Sequence, residues 1–165
     1  MPPDEVVVYT VGVWDLLHPG HLDVLVRLRN MGTRLVVGVV GDDAIARYKR
    51  RPIMTLAERA AMIGSLQCVD EVLLDAPLPD ETSLEMLDVL GFSFLAKSFS
   101  PEERERGLRE HAHLGDRFVE APRGEVRLST TDILRRVVAR LDACPADVRG
   151  HRLLGEPDAW RRQTS

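Results

Sequence analysis

Val6-Val7-Val8-Tyr9-Thr10-Val11, running into Gly12-Val13-Trp14-Asp15-Leu16-Leu17-His18-Pro19-Gly20-His21, is the stretch on which the fold turns. The first six residues form a continuous, mostly β-branched run of the kind that fills a parallel strand buried on both faces, and Gly12 ends it. Between His21 and Met31 the residues Leu22, Leu25, Val26 and Leu28 recur at helical spacing, and Asn30-Met31-Gly32 supplies a stop. Leu35-Val36-Val37-Gly38-Val39-Val40 then reads as a second buried strand. Strand, helix and strand together take about 35 residues, the size of a right-handed βαβ crossover.

The same alternation continues outward. Asp43 to Tyr48 makes a short helix, and Thr55-Leu56-Ala57-Glu58 is a capping box that opens a helix to about Leu66. Val69 to Leu74 is a third strand, Ser83 to Leu90 a helix closed by Gly91, and Phe92 to Ala96 a fourth strand. Pro101 to Leu114 is a charged helix capped by Ser100, Arg117 to Glu120 a fifth strand, and Ser129-Thr130-Thr131-Asp132 caps a last helix through Leu141. Beyond Pro145 the composition turns polar and arginine-rich. This order predicts an α/β fold: a Rossmann-like, doubly wound parallel sheet of about five strands with helices on both faces.

Composition bounds the function. With 165 residues, 44% hydrophobic and 29% charged, the chain is long enough for one real core and is neither a disordered tail nor a disulfide scaffold. The 26 acidic residues outnumber the 22 Lys and Arg, so no global field favours nucleic acid or an anionic membrane, and an anion must be held locally. Cys68 and Cys144 show no CxxC spacing, which points to a reducing compartment. Met1 to Glu5 carry no basic leader, so a cytoplasmic location is expected. Lys49 and Lys97 are the only lysines among many arginines, a weak pointer to sites that need a compact ammonium charge.

In an open parallel sheet the ligand lies beyond the carboxyl ends of the strands, which directs attention to Gly12–His21. Gly12 and Gly20 allow close approach of the backbone, and Pro19 suits a first helical turn. His18 and His21, three residues apart, project from one side of that helix start. Free N–H groups and partial positive charge at a helix N-terminus suit phosphate, and two imidazoles beside it can donate to a phosphoryl group undergoing displacement. The same pair is also half of a metal module, although His111 and His113 lie in a distant charged helix and no further ligand is evident.

The stretch from Thr10 to His21 resembles the HxGH nucleotide-binding signature of the cytidylyltransferase family, within the HxGH nucleotidyltransferase superfamily. Val37 to Pro52 is similar to the segment bearing that family's phosphate-binding lysine, Leu56 to Ile63 and Cys68 to Val72 to its ERxxxI and VDEV stretches, and Ser129 to Ile133 to its STT motif. The resemblance spans residues 6 to 137 and implies a nucleotidyltransferase domain over 1–141 with an arginine-rich extension over 142–165. It implies transfer of CMP from CTP, with Mg²⁺, to a small phosphorylated or phosphonylated alcohol, releasing pyrophosphate, by a homodimer.

By that likeness His18, His21 and Lys49 carry catalysis, while Thr10, Val11, Gly12, Val13, Asp15, Gly20, Ser129 and Thr130 meet the nucleotide. Arg59 binds substrate phosphate or braces the site, and pairing with Glu58 is the plain structural reading. Two departures stand out. The family's arginine before STT is missing, leaving Arg127 or Arg123 to replace it. After the fourth strand the chain has Ala96-Lys97-Ser98-Phe99 in place of acidic residues, and Lys97 there is more like the adenylyltransferases that make ADP-heptose, or meets the acceptor's phosphate. An ATP-dependent adenylyltransferase and a non-catalytic nucleotide-binding regulator are therefore the competing readings.

Overall fold

A computed structural model describes residues 5–46 and 51–142 of the chain. Five strands, β1 (Val7–Gly12), β2 (Arg34–Val40), β3 (Glu71–Ala76), β4 (Phe94–Lys97) and β5 (Phe118–Glu120), form one sheet in the order β3-β2-β1-β4-β5. Every pairing is parallel. The helices are α1 (Pro19–Arg29), α2 (Asp42–Ala46), α3 (Leu56–Gly64), α4 (Leu84–Val89), α5 (Pro101–Glu110) and α6 (Thr130–Asp142). The expected order of strands and helices is the observed one, and strand order reverses beside β1, between β2 and β4.

Strand β1 is central, and its alternating side chains feed two cores. Val7, Tyr9 and Val11 pack with Ile45, Leu87, Leu95 and Leu114, while Val8 packs with Leu25, Leu28, Ile63 and Ala96. Both faces of the sheet are thus covered by helices, which is why β1 and β2 read as unbroken apolar runs. Leu25 and Leu28 are fully buried, each a gain of about 1.5–3 kcal/mol over an exposed side chain.

Several boundaries shift from the sequence expectation, most by one or two residues, and those of β3 and α5 have a clear physical cause. β3 starts and ends later, because Asp70 is used as a connector: its carboxylate accepts the Leu35 N–H at 2.7 Å and pairs with Arg29 at 3.0 Å. The strand then continues through an irregularity at Asp75, whose φ of +50° accompanies a register shift opposite Val39 and Val40. α5 stops at Glu110 rather than Leu114, since the His111 ring folds back on the Gly107 carbonyl at 2.7 Å and a 3₁₀ stretch, Ala112–Arg117, follows with Gly115 at φ +52°.

The chain divides into two compact units, Met1–Leu128 and Ser129–Ser165. The first holds the sheet and α1 to α5; the described part of the second is chiefly α6. Among the described residues no helix is long and apolar enough to cross a membrane. Lys49, Cys144 and the arginine-rich stretch from Ala143 to Ser165 lie outside the described residues.

Candidate active site

The loop after β1 leaves the sheet at the strand-order reversal, where open α/β sheets form their crevice. Two non-glycine residues in it, Trp14 at φ +57° and Leu16 at φ +48°, adopt the left-handed region, at a cost of about 1–3 kcal/mol each. Packing offsets that cost. The Trp14 indole N–H donates to the Gly38 carbonyl at 2.9 Å, and the ring lies so close to Gly12 that a Cβ there would come within 3.0 Å of it. Gly12 therefore makes room for Trp14, a contact that its expected role beside the nucleotide had not indicated.

His18 is the N-cap of α1 and is buried. Its Nδ1 accepts the backbone N–H groups of Gly20, at 3.1 Å, and His21, at 3.3 Å. An amide N–H can only donate, so neutral His18 must carry its proton on Nε2. Pro19 has no N–H, and the first free amides of α1 are already taken by the cap. The Gly20 and His21 amides at this helix start are thus satisfied within the chain by the His18 ring.

The His21 ring stacks on His18, with centroids 3.7 Å apart and 19° between planes, and meets Trp14 edge-on at 5.4 Å. Its Nδ1 is buried without a hydrogen-bond partner. Burial, then the neighbouring His18 charge, push its pKa down to about 4 against a weaker opposing pull from Asp15. At neutral pH His21 is therefore uncharged.

Behind the loop lies a brace. Arg59 has no exposed surface; its Nε donates to the Met54 carbonyl at 3.2 Å, its Nη1 to Val13 at 2.6 Å, and its Nη2 to Val40 at 2.8 Å and to the Asp42 carboxylate. These bonds tie together the loops around it, and its charge partner is Asp42, not Glu58. Glu58 instead closes the capping box with Thr55. Asp15 is equally engaged, its two carboxylate oxygens accepting the N–H groups of Ile53 and Met54 at 3.0 Å each. Thr10 and Val11 are buried in β1, and Val13 is tied through its carbonyl to Arg59.

On the other side of β1, Lys97 ends β4 opposite Glu120 of β5, and Glu120 is held by both prongs of Arg104 at 2.7 Å. The loop 121–128 follows. A Cβ on Gly20 would stand 2.5 Å from the Leu128 carbonyl oxygen and 3.0 Å from the His18 ring, so this loop ends against the start of α1. Arg123 and Arg127 are exposed on it. In the second unit Ser129 caps α6, its hydroxyl bonded to the Asp132 carboxylate at 2.6 Å, with Thr130 opening the helix. Sequence reasoning gave no role to Trp14, Asp23 or Asp42, although Trp14 lies within the quoted Thr10–His21 stretch and Asp42 within Val37–Pro52. Among the described residues no group of three or more His, Cys, Asp or Glu is placed to hold a metal ion.

Comparison with known proteins agrees with this architecture. A family model described as cytidylyltransferase-like matches residues 9–136. The bifunctional protein HldE of Syntrophotalea carbinolica is 34% identical over 149 residues, covering 84% of this chain but only 28% of that protein. The ethanolamine-phosphate cytidylyltransferase of Arabidopsis thaliana is 29% identical over 147 residues, 86% of this chain and 34% of that protein. The chain thus spans about a third or less of these relatives. Among solved structures, the lipopolysaccharide core biosynthesis protein of Thermoplasma volcanium superposes with a TM-score of 0.55 at 21% identity, over 73% of this chain and 99% of that one, a likeness of fold. With a match from within β1 into α6, the chain belongs to the cytidylyltransferase-like family.

Proposed function

We propose that the chain transfers a nucleoside monophosphate from a nucleoside triphosphate to a small phosphorylated or phosphonylated alcohol. An oxygen of the acceptor's phosphate forms the new bond to the α-phosphorus, and the bridging oxygen leaves with the bonding electrons as pyrophosphate. The nucleophile is an anionic oxygen already, so no proton need be removed by the protein, and positioning with charge stabilisation is the task left to it. The single observation that carries this reading is His18. Its proton is fixed on Nε2 by two backbone donors, and it is stacked on a neutral His21 at the carboxyl end of the central strand. Such a pair donates hydrogen bonds to oxygens that gain charge during displacement.

Lys49 is assigned to the phosphate oxygens by the family likeness. Arg59, Asp15 and Asp42 hold the loops in place. Mg²⁺ enters as part of the triphosphate substrate, since the nearby carboxylates of Asp15 and Asp42 are already engaged by N–H groups and Arg59. CTP is the favoured donor, because Asp42 to Val72 is most similar to cytidylyltransferases and the Arabidopsis relative is one by name. ATP is the second reading, favoured by Lys97 at the end of β4, and a homodimer is expected from the family likeness alone.

The test is pyrophosphate release from CTP and from ATP, each with Mg²⁺, in the presence of phosphoethanolamine, glycerol 3-phosphate and sugar 1-phosphates. Release that requires both nucleotide and phosphomonoester supports the transferase reading. Binding of nucleotide with no release for any acceptor favours a regulator.

A further inference from the structure

In the loop between β1 and α1, the residue with the largest side chain occupies a backbone conformation suited to glycine: Trp14, at φ +57°. Such strain persists only where the surroundings over-determine it, and it gathers at functional sites. Here the surroundings are specific. The indole N–H donates to the Gly38 carbonyl of β2 at 2.9 Å, in a buried bond. The ring lies over Gly12, where a Cβ would stand 3.0 to 3.3 Å from three of its atoms. Trp14 also belongs to the core formed with Leu25, Ala96 and Ala121. Its remaining neighbour is His21, whose ring it meets edge-on, with centroids 5.4 Å apart and 71° between planes.

His21 is therefore in contact with two rings, His18 stacked at 3.7 Å and Trp14 set against it at a steep angle. Of the two, Trp14 is the apolar one. The effect is seen at the His21 Nδ1, which has lost water without gaining a hydrogen-bond partner. A buried polar atom left unpaired costs stability, and its retention calls for a reason in what the ring does. The titratable groups that bear on this ring are His18 on the stacked face and Asp15 from the loop, each weaker than the burial itself, so the ring stays neutral down to about pH 4.

Core filling does not account for the arrangement. A side chain that only filled space at position 14 would need neither the anchoring bond to Gly38 nor an edge set against a titratable ring at the carboxyl end of β1.

We propose that Trp14 is a positioning residue of the reaction: anchored on the Gly38 carbonyl, its indole is the wall that keeps the His21 ring stacked on His18 and shielded from water. It acts through His21 and not by touching substrate. Its effect on turnover rests on the transferase reading above, whereas the wall is a property of the free protein.

The experiment is a pH titration, followed by NMR, of protein carrying ¹³C,¹⁵N-labelled histidine, with the His21 signals assigned from His21→Gln. Wild type is compared with Trp14→Ala and Trp14→Phe, and each is assayed for pyrophosphate release. In Trp14→Ala the His21 midpoint should rise from about 4 toward the ordinary 6.5, by about one pH unit or more, because water reaches the ring. The acid limb of kcat/KM should move with it. At neutral pH kcat should fall roughly tenfold or more with the KM for the triphosphate little changed, the split expected when orientation is lost and binding is not. Trp14→Phe, which restores an aromatic edge without the N–H, should recover most of both. A lower melting temperature with the His21 midpoint unmoved makes Trp14 a core residue only and overturns the proposal. So does a moved midpoint with kcat and its pH profile unchanged. Wild type supplies a reading that needs no variant: the ring protons of Trp14 and His21 should show a nuclear Overhauser contact, and its absence overturns the wall. Wild type that releases no pyrophosphate with any acceptor overturns the proposed function instead, and the titration and the Overhauser contact still decide the wall.

Discussion

His18 accepts the N–H groups of Gly20 and His21 on one ring nitrogen while its ring stacks on His21 at 3.7 Å, so one side chain is both the cap of α1 and half of the donor pair. The two roles separate by substitution. Asparagine caps helices well and alanine does not, a difference of about 1 kcal/mol. His18→Asn should keep near-wild-type stability in urea, and His18→Ala should lose that amount. Both should lower kcat by roughly 10²-fold or more, the usual cost of one oxyanion-type donor. Turnover in His18→Asn within a few-fold of wild type contradicts the assigned role.

His21 links the site to acid stability. Its folded pKa of about 4 lies below the ordinary 6.5, so between these values the unfolded chain binds more protons than the folded one. Stability therefore falls as pH drops through that window, by up to about 3 kcal/mol from this residue. His111, pushed down first by burial, acts in the same direction. Melting temperatures measured from pH 7 to 4 should fall less steeply for His21→Gln than for wild type; equal slopes would show that His21 stays accessible to protons.

Arg59 is the buried hub of the loops. Arg59→Lys keeps the charge but not the fork, and three carbonyls and the Asp42 carboxylate lose partners. Destabilisation of about 3–5 kcal/mol is expected, seen as a lower urea midpoint. Asp15→Ala, which strips two backbone N–H groups of their acceptor, should cost about 1–3 kcal/mol by the same measurement.

Lys49→Ala should weaken triphosphate binding, and the loss should shrink as salt rises, since a lone ammonium acting on phosphate oxygens is screened. Isothermal titration at low and high ionic strength reads this directly. Unchanged affinity at both returns Lys49 to the solvated surface.

Much of this was legible in the sequence, for identifiable reasons. Strands β1 and β2 announce themselves because both of their faces are buried, and α3 because Thr55 and Glu58 make a reciprocal cap. The histidine pair was visible from its spacing. What stayed hidden depends on contacts distant in sequence. Arg59 reaches Val13, Val40 and Asp42 across three elements, and Gly124 meets Asp23 a hundred residues away, neither of which leaves a local pattern. The extension of β3 past Leu74 was also missed, since an aspartate normally ends a strand, and here Asp75 turns through a left-handed conformation instead.

The central claim is that the crevice beside His18 takes a nucleoside triphosphate, and thermal unfolding with Mg²⁺ and each of CTP, ATP, GTP and UTP tests it without knowledge of the acceptor. A ligand at about 100 times its Kd adds roughly 2.7 kcal/mol, several degrees of Tm for a domain of this size. The account predicts a rise with CTP that is lost in Lys49→Ala, or with ATP if the second reading holds. A Tm that no triphosphate moves contradicts it.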